Sequence, residues 1–351
     1  MIPTRSLITL VTVTACLAGT ASFASPRAVS AAGADPAWSD RYSDEHEGPE
    51  QSDKWSKVFK VGAGGSLDVS NVAGTIEVTG GPGDEIKVDV VKRARSRDAA
   101  EARRQLEAVQ IEAIETAGRV EIRTNYRQSK NNSVETDFTV YVPAGIGVAA
   151  RSVSGDVSVS RVKGEVRVET VSGNATAAGT PHLVKIKSVS GEVSAADVAS
   201  EDVLTAGSVS GNVVLKKTKA RSVDLQSVSG DVTLTDVACE RAQARSVSGD
   251  IEFGGPLMKG GRYELNSHSG DITVNVSTTS GFELSANSFS GEINSDLRLT
   301  MQSGREEPAV AGLPHNREVR GTFGDGGALL VVKTFSGDVR VRKGTGADDK
   351  K

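Results

Sequence analysis

Nine positions of this chain would bring side-chain oxygens into register if its repeats stack. Asp156, Asn174, Glu192, Asn212, Asp231, Asp250, Asp271, Glu292 and Asp338 each follow a glycine in a recurring Ser/Thr-x-Ser-Gly-Asp/Asn/Glu-Val/Ile/Ala phrase. Stacked strands repeat about every 4.8 Å, and a column of hard oxygen ligands at that spacing is what a calcium ladder would use. Asp231, Asp250 and Asp271, in three successive phrases, are the weak metal candidates. Against them, the Gly-Gly-x-Gly-x-Asp turn of calcium-binding β-rolls is missing, and Asn or Glu replaces Asp at four of the nine positions. The residues favour a solvated acidic edge, with no metal and no cofactor.

Two hydroxyl columns accompany the acids. One holds Ser152, Thr170, Ser188, Ser208, Ser227, Ser246, Ser267, Ser288 and Thr334; the other holds Ser154, Ser172, Ser190, Ser210, Ser229, Ser248, Ser269, Ser290 and Ser336. Serines this repetitive cannot all be nucleophiles, and neither a Gly-x-Ser-x-Gly elbow nor a His-Glu-x-x-His helix occurs. His46, His182, His268 and His315 are isolated from one another in sequence. A polysaccharide-active β-helix enzyme would need a localised carboxylate or Asp/Arg cluster beside long loops. Residues 144–252 also lack any Phe, Tyr or Trp on which a sugar could stack. The hydroxyls therefore read as exposed ladders that keep a sheet face soluble.

Basic residues gather on the other half of each repeat, at Arg161, Lys163, Arg167, Lys185, Lys187, Lys216, Lys217, Lys219, Arg221, Arg241 and Arg245. An anionic glycan or a lipid A phosphate is the ligand class such an edge would take, although charge runs are ordinarily wet faces. The net charge of −4 argues for no nucleic-acid partner.

The element that must position these columns is set by the glycines. Gly155, Gly173, Gly191, Gly211, Gly230, Gly249, Gly270 and Gly291 lie 18, 18, 20, 19, 19, 21 and 21 residues apart, and Gly337 follows after a gap. Such a period marks stacked supersecondary units, with glycine at a corner that needs positive φ or close approach. In Ser227-Val228-Ser229-Gly230-Asp231-Val232-Thr233-Leu234, alternation places Val228, Val232 and Leu234 on a core face and the hydroxyls and acid on a wet one. The same reading makes core of the column two before each glycine: Val153, Val171, Val189, Val209, Val228, Val247, His268, Phe289 and Phe335. Its large C-terminal members predict an interior that widens toward that end. Two short strands per coil give an all-β, flattened parallel β-solenoid.

Along the chain, residues 1–24 read as a signal peptide and 25–54 as a disordered acidic linker, with order beginning near Trp55. Residues 55–343 form the solenoid domain. Within it lie a helix-hairpin insert at about 98–125, repeats at 152–297, a capping insert at 298–327 and a last coil at 328–343. Residues 344–351 are a disordered tail. The helix at the other end is also expected to cap the stack. Val13-Thr14-Ala15-Cys16 resembles a lipobox, so Cys16 is a candidate lipid anchor, competing with ordinary cleavage after Ala24. Cys239 reads as a small buried filler. No segment after the signal is long and apolar enough to span a bilayer.

Several motifs occur in a telling order: Gly-Gly-Ser-Leu-Asp-Val-Ser-Asn-Val-Ala-Gly-Thr-Ile at 64–76, the helix-hairpin insert, Val-Pro-Ala-Gly at 142–145, the Ser-Val-Ser-Gly-Asp phrases, and Gly-Asp-Gly-Gly at 324–327 before Thr-Phe-Ser-Gly-Asp-Val. Through them the chain, from about Val58 to Lys343, resembles a bacterial family of β-strand-repeat domains named putative adhesins. That resemblance implies an exported β-solenoid with no established catalytic residues. The function expected is a non-enzymatic cell-envelope protein, an adhesin or surface-binding scaffold. It would lie in the periplasm, at the outer membrane or cell surface, or be secreted, and would face an envelope ligand. The alternatives are the polysaccharide-active enzyme and a periplasmic structural envelope-stress factor.

Overall fold

The computed structural model describes residues 49–62, 64–126, 134–277, 281–301 and 317–344. Strand follows strand in parallel, coil upon coil: Val166 lies beside Val148, Val213 beside Val193, and Val232 beside Val213. The fold is a parallel β-solenoid. Each coil has one strand before its glycine and one after, and the inward residues of both merge into one continuous core. The coils are held by backbone bonds at the corner, such as Gly211 N–H to the Ser229 carbonyl at 3.0 Å and Gly230 N–H to the Ser248 carbonyl at 3.0 Å.

The corner explains the glycine. Gly230 has φ 149°, and a Cβ built there would sit 2.4 Å from the Gly211 carbonyl oxygen of the coil below. Gly211 meets Gly191 in the same way, and Gly249 meets Gly230. No side chain fits between corners stacked this closely. A second bend, at the far side of the coil, is built differently: Arg161, Asp197, Lys217 and Asp236 all take left-handed φ between 48° and 57°, with Gly179 at 62° in the same column.

The stack has ten rungs, and their spatial order departs from chain order. Asn71–Gly74 forms the first glycine rung, since the next glycine, Gly155, rests against the Gly74 carbonyl, and beyond it Arg119–Tyr126 and Val134–Pro143 add a further parallel layer without a corner glycine. At the far end, Ala328–Ser336 pairs in parallel with Leu257–Ser269 on one side and Phe282–Ser290 on the other. The coil of Gly337 is therefore last in sequence and penultimate in space, inserted between those of Gly270 and Gly291. Its glycine, hydroxyl and aspartate make the corner and ladder contacts to the coils on either side, which fixes its place between the coils of Gly270 and Gly291. Nine steps give a rod about 43 Å long.

Order begins earlier than Trp55. Glu50–Lys60 is one strand, antiparallel to Glu85–Arg95, so the acidic residues 50–54 belong to the sheet and not to the linker. Their charges are matched: Asp53 pairs with Lys92 at 2.7 Å and Glu50 with Arg95 at 2.6 Å. Residues 25–48, the signal segment with Cys16, and residues 345–351 lie outside the described residues. The helix runs Ala99–Ala108, capped by the Asp98 carboxylate on the Ala100 N–H at 3.0 Å. It does not cover the end of the main core. Ala102 and Leu106 pack instead into a separate small cluster with Ala94, Val109, Val134 and Tyr126. Lys92 ties this subunit of structure together, donating to the Leu106 and Val109 carbonyls at 3.3 Å each. The hairpin Val109–Thr116 and Arg119–Tyr126 turns at Ala117 and Gly118. Of the 298–327 segment, Arg317–Phe323 lies antiparallel on Phe282–Ser290 and so flanks the terminal coil.

Gly230→Val should lower the unfolding midpoint sharply, by an amount corresponding to about 3 kcal/mol or more of backbone strain and clash. Gly145→Ala is the control, because nothing lies within 4 Å of a Cβ there. Equal midpoints for the two variants in thermal unfolding would contradict the corner role.

Candidate interaction surface

The corner also resets which residues face inward. In the coil of Gly230, Val223, Leu225 and Ser227 are buried, then Val228, Ser229 and Asp231 are exposed, and Val232 and Leu234 are buried again. The inward positions on the two sides of the corner, Ser227 and Val232, are an odd number of residues apart. Alternation cannot run through the glycine, which absorbs one residue. The expected faces are thus exchanged before each corner: the first hydroxyl column is buried and the valine column is outside.

Eight of the nine hydroxyls in the buried column bond to a glycine carbonyl, and Ser152 is the exception. Thr170 donates to the Gly155 carbonyl at 3.1 Å, Ser188 to Gly173 at 2.8 Å, Ser208 to Gly191 at 2.9 Å and Thr334 to Gly270 at 3.1 Å. Ser227, Ser246, Ser267 and Ser288 repeat the bond on Gly211, Gly230, Gly249 and Gly337. At the first rung Asn71 takes over, donating to the Gly74 and Thr136 carbonyls. The acidic column makes a second ladder. Asp231 accepts the Asp250 N–H at 2.9 Å, Asp250 accepts that of Asp271 at 2.8 Å, and Asp271 accepts that of Asp338 at 2.8 Å. Asp156, Asn174 and Asn212 do the same, which explains why Asn and Asp interchange: either supplies the oxygen. The three weak metal candidates sit in this ladder, and no cluster of three or more His, Cys, Asp or Glu suited to a metal occurs among the described residues.

Other candidates are scattered. His182 is exposed beside the second bend and His268 lies on the outer stripe, while His46 and His315 lie outside the described residues. Cys239 is buried, and burial pushes its thiol up to about 12. Tyr263 donates to the Cys239 carbonyl at 2.6 Å, and burial likewise raises its phenol to about 12. The basic half-coil residues are interleaved with acids: Arg167 pairs with Glu165, Lys185 with Glu169 at 2.7 Å, and Lys217 stands between Asp197 and Asp236 in the second bend. They form no unbroken positive edge.

What the corner exposes is a line. Val72, Val153, Val171, Val189, Val209, Val228 and Val247 are each 40–50% exposed and occupy successive rungs. His268, Phe335 and Phe289 continue the line, with rings stacked at 5.0 and 4.7 Å between centroids. These aromatics lie outside the core, so they do not widen it. Bulky interior groups occur at both ends, Phe59 and Phe138 at one and Phe253, Tyr263 and Phe282 at the other, with alanines such as Ala175, Ala177 and Ala195 between. Alongside the valine ridge runs an open groove of about 720 Å³. Its floor is the hydroxyl column, and its far wall is the column four before each glycine, including Arg151, Glu169, Lys187 and Gln226. The signal for this surface was in the sequence: the alternation of Val223 and Leu225 leads to Ser227, not Val228.

The family model described as Toastrack DUF4097 matches residues 65–342. No curated protein is similar to the chain. Among solved structures, a putative adhesin from Bacteroides fragilis is 13% identical, with 82% of this chain and 97% of that one covered and a TM-score of 0.41. A putative adhesin from Parabacteroides distasonis is 14% identical, with 66% and 91% covered and a TM-score of 0.40. A putative lipid binding protein from the same organism is 12% identical, with 64% and 89% covered and a TM-score of 0.37. Similarity of this degree says nothing about what this chain binds.

The exchange of faces is measurable. Ser188→Ala should cost about 1 kcal/mol through the lost bond to Gly173, whereas Val189→Ser should change stability by less than about 0.5 kcal/mol. The opposite ranking in denaturant unfolding would restore the valines to the core. A second test uses pH. The Asp338 N–H and then the Arg340 guanidinium hold Asp271 below the usual 3.8, against the opposing effect of burial. A depressed carboxylate stabilises the fold above its unfolded value and loses that contribution as pH falls through the folded one. Asp271→Asn should therefore be less stable at neutral pH and decline less steeply between about pH 4 and pH 2. An unchanged acid limb would count against the contact.

Proposed function

Because the chain belongs to the Toastrack DUF4097 family, we propose that it is a non-enzymatic, exported, surface-associated scaffold that binds through its exposed corner stripe. The observation that carries this reading is the stripe itself. Among the described residues, eight of the fourteen exposed large apolar side chains lie on that single line, and proteins that expose a contiguous apolar strip use it for contact. Most of the groups that could have supplied catalysis are committed elsewhere: the inner hydroxyls other than Ser152 to glycine carbonyls, and most of the acidic column to backbone N–H groups. Export is supported by the apolar run Leu7–Leu17 and the small residues that follow it. No helix among the described residues is long and apolar enough to cross a membrane. An adhesin and an envelope scaffold both use such a surface, and adhesion is the reading favoured here.

The test compares cells making the wild-type chain with cells making Val171→Lys/Val228→Lys, two exposed substitutions that should leave the thermal midpoint unchanged. Adhesion of the variant cells should fall about tenfold, the loss expected from placing charge in the middle of an apolar contact. Wild-type adhesion by a folded variant would remove the stripe from the mechanism. Protease added to intact cells should cleave the domain, and its full protection would place it beneath the outer surface as a periplasmic structural factor.

A further inference from the structure

On the reading that the stripe is a contact line, we infer that the groove beside its valines binds a single extended acyl chain with an anionic head, a long-chain fatty acid, whose carboxylate lies at the Asn71 end. The groove crosses the rungs from Asn71 to Ser227, and each of them places a valine on one wall. Five steps of about 4.8 Å make it about 24 Å long, the extended length of roughly eighteen carbons joined by bonds of about 1.5 Å. Its two walls are residues two apart on the same strand, about 7 Å along it. That width suits one hydrocarbon chain.

The lining disfavours polar occupants. Floor hydroxyls from Thr170 to Ser227 turn inward to glycine carbonyls. On the far wall Glu169 is held by Lys185 and Gln226 bonds to Asp224. A peptide or glycan laid here would strip water from its own amides or hydroxyls and find few partners in exchange. No aromatic ring lines the groove for a sugar to stack on. An acyl chain needs no hydrogen bond, and it buries carbon against the valines.

Charge places the head. Ser70 lies in register with Arg123 on one neighbouring strand and with Arg151 on the other. Arg123 pairs with Glu121, while Arg119 and Arg151 share Asp68 at 3.3 and 3.0 Å. Three guanidiniums against two carboxylates leave one positive charge over, and each guanidinium has N–H groups to spare for a further carboxylate. Ser152, on the floor beside them, is 5% exposed and its hydroxyl has no partner, with Asn71 donating to the Gly74 carbonyl in its column's place. Lys187 adds a further positive charge to the same wall. At the Ser227 end the wall is Gln226 with Asp224 behind it, which repels an anionic head.

Calorimetry with palmitate below its micelle concentration should show saturable binding of one molecule per chain. Affinity should rise on the order of twofold per methylene from octanoate to palmitate, the gain expected when an open groove covers about half of each. Laurate should bind about tenfold tighter than 1-dodecanol, the difference a charge-assisted head contact makes. In Arg123→Gln/Arg151→Gln, laurate should weaken to the level of 1-dodecanol while 1-dodecanol itself is unchanged. Absent or unsaturable palmitate binding overturns the proposal, as does an affinity that ignores chain length. Laurate and 1-dodecanol binding alike to the wild type overturns the anionic head. Adhesion that is lost in Val171→Lys/Val228→Lys, with no palmitate bound by the wild type, overturns the acyl site alone. Adhesion that survives those substitutions, with palmitate bound by the wild type as expected, supports the acyl site and overturns only the stripe as the adhesive line.

Discussion

Everything in this molecule depends on how closely one glycine corner can rest on the next. At Gly230 the gap to the Gly211 carbonyl leaves 2.4 Å for an imagined Cβ, so the corner admits hydrogen and nothing more. That approach puts each corner carbonyl where a hydroxyl from the next coil can donate to it, and each corner N–H where a carboxylate or amide oxygen can accept it. The two ladders are consequences of one packing distance. They recur because the distance recurs, and they stabilise a thin core that has few large side chains to bury.

The same corner determines what the outside looks like. A strand that ran straight through would keep its valines in the interior and its serines in water. A corner that absorbs one residue exchanges them, burying a hydroxyl that has a carbonyl to satisfy and exposing a valine that has none. Burying the hydroxyl is tolerated because the bond is made at every rung of the column but that of Ser152. Exposing valine on seven successive rungs, from Val72 to Val247, has no such compensation within one chain, and that imbalance points the stripe toward a partner.

Architecture was legible in the sequence because it rests on spacing. The glycine period, the Ser-Gly-Asp phrases and the degenerate copy at Asn71–Gly74 all report the stack, and inward Val232 and Leu234 follow from alternation after the corner. Facing before the corner was not, because period two is a rule for uninterrupted strand and a left-handed residue breaks it. The second bend is not legible in the same way: Arg161 and Lys217 carry no preference for positive φ, and although aspartate does, Asp197 and Asp236 stand in no recurring phrase. Acids in the first strand looked like linker because composition registers charge, while order there depends on Lys92 and Arg95 about forty residues away.

The displaced ninth coil shows how the pattern enforces itself. Ala328–Ser336 reaches its place only after the chain has built the coil of Gly291 and turned back along it. Chain connectivity would more simply have left it at the end, over the Gly291 corner. Between the two earlier coils it gains both sides of each ladder: Asp271 accepts its Asp338 N–H, and Asp338 accepts that of Glu292. It also slides Phe335 between His268 and Phe289. At the terminal rung stands Glu292, whose N–H donates to Asp338 and whose carboxylate pairs with Arg317 at 3.7 Å. Glu192 shows that a longer acid is also tolerated within the ladder, where it donates its N–H to Asn174 and leaves the next bond unmade. At this end of the stack the coil of Gly337 takes the place where its aspartate both gives and receives, and chain order yields to it.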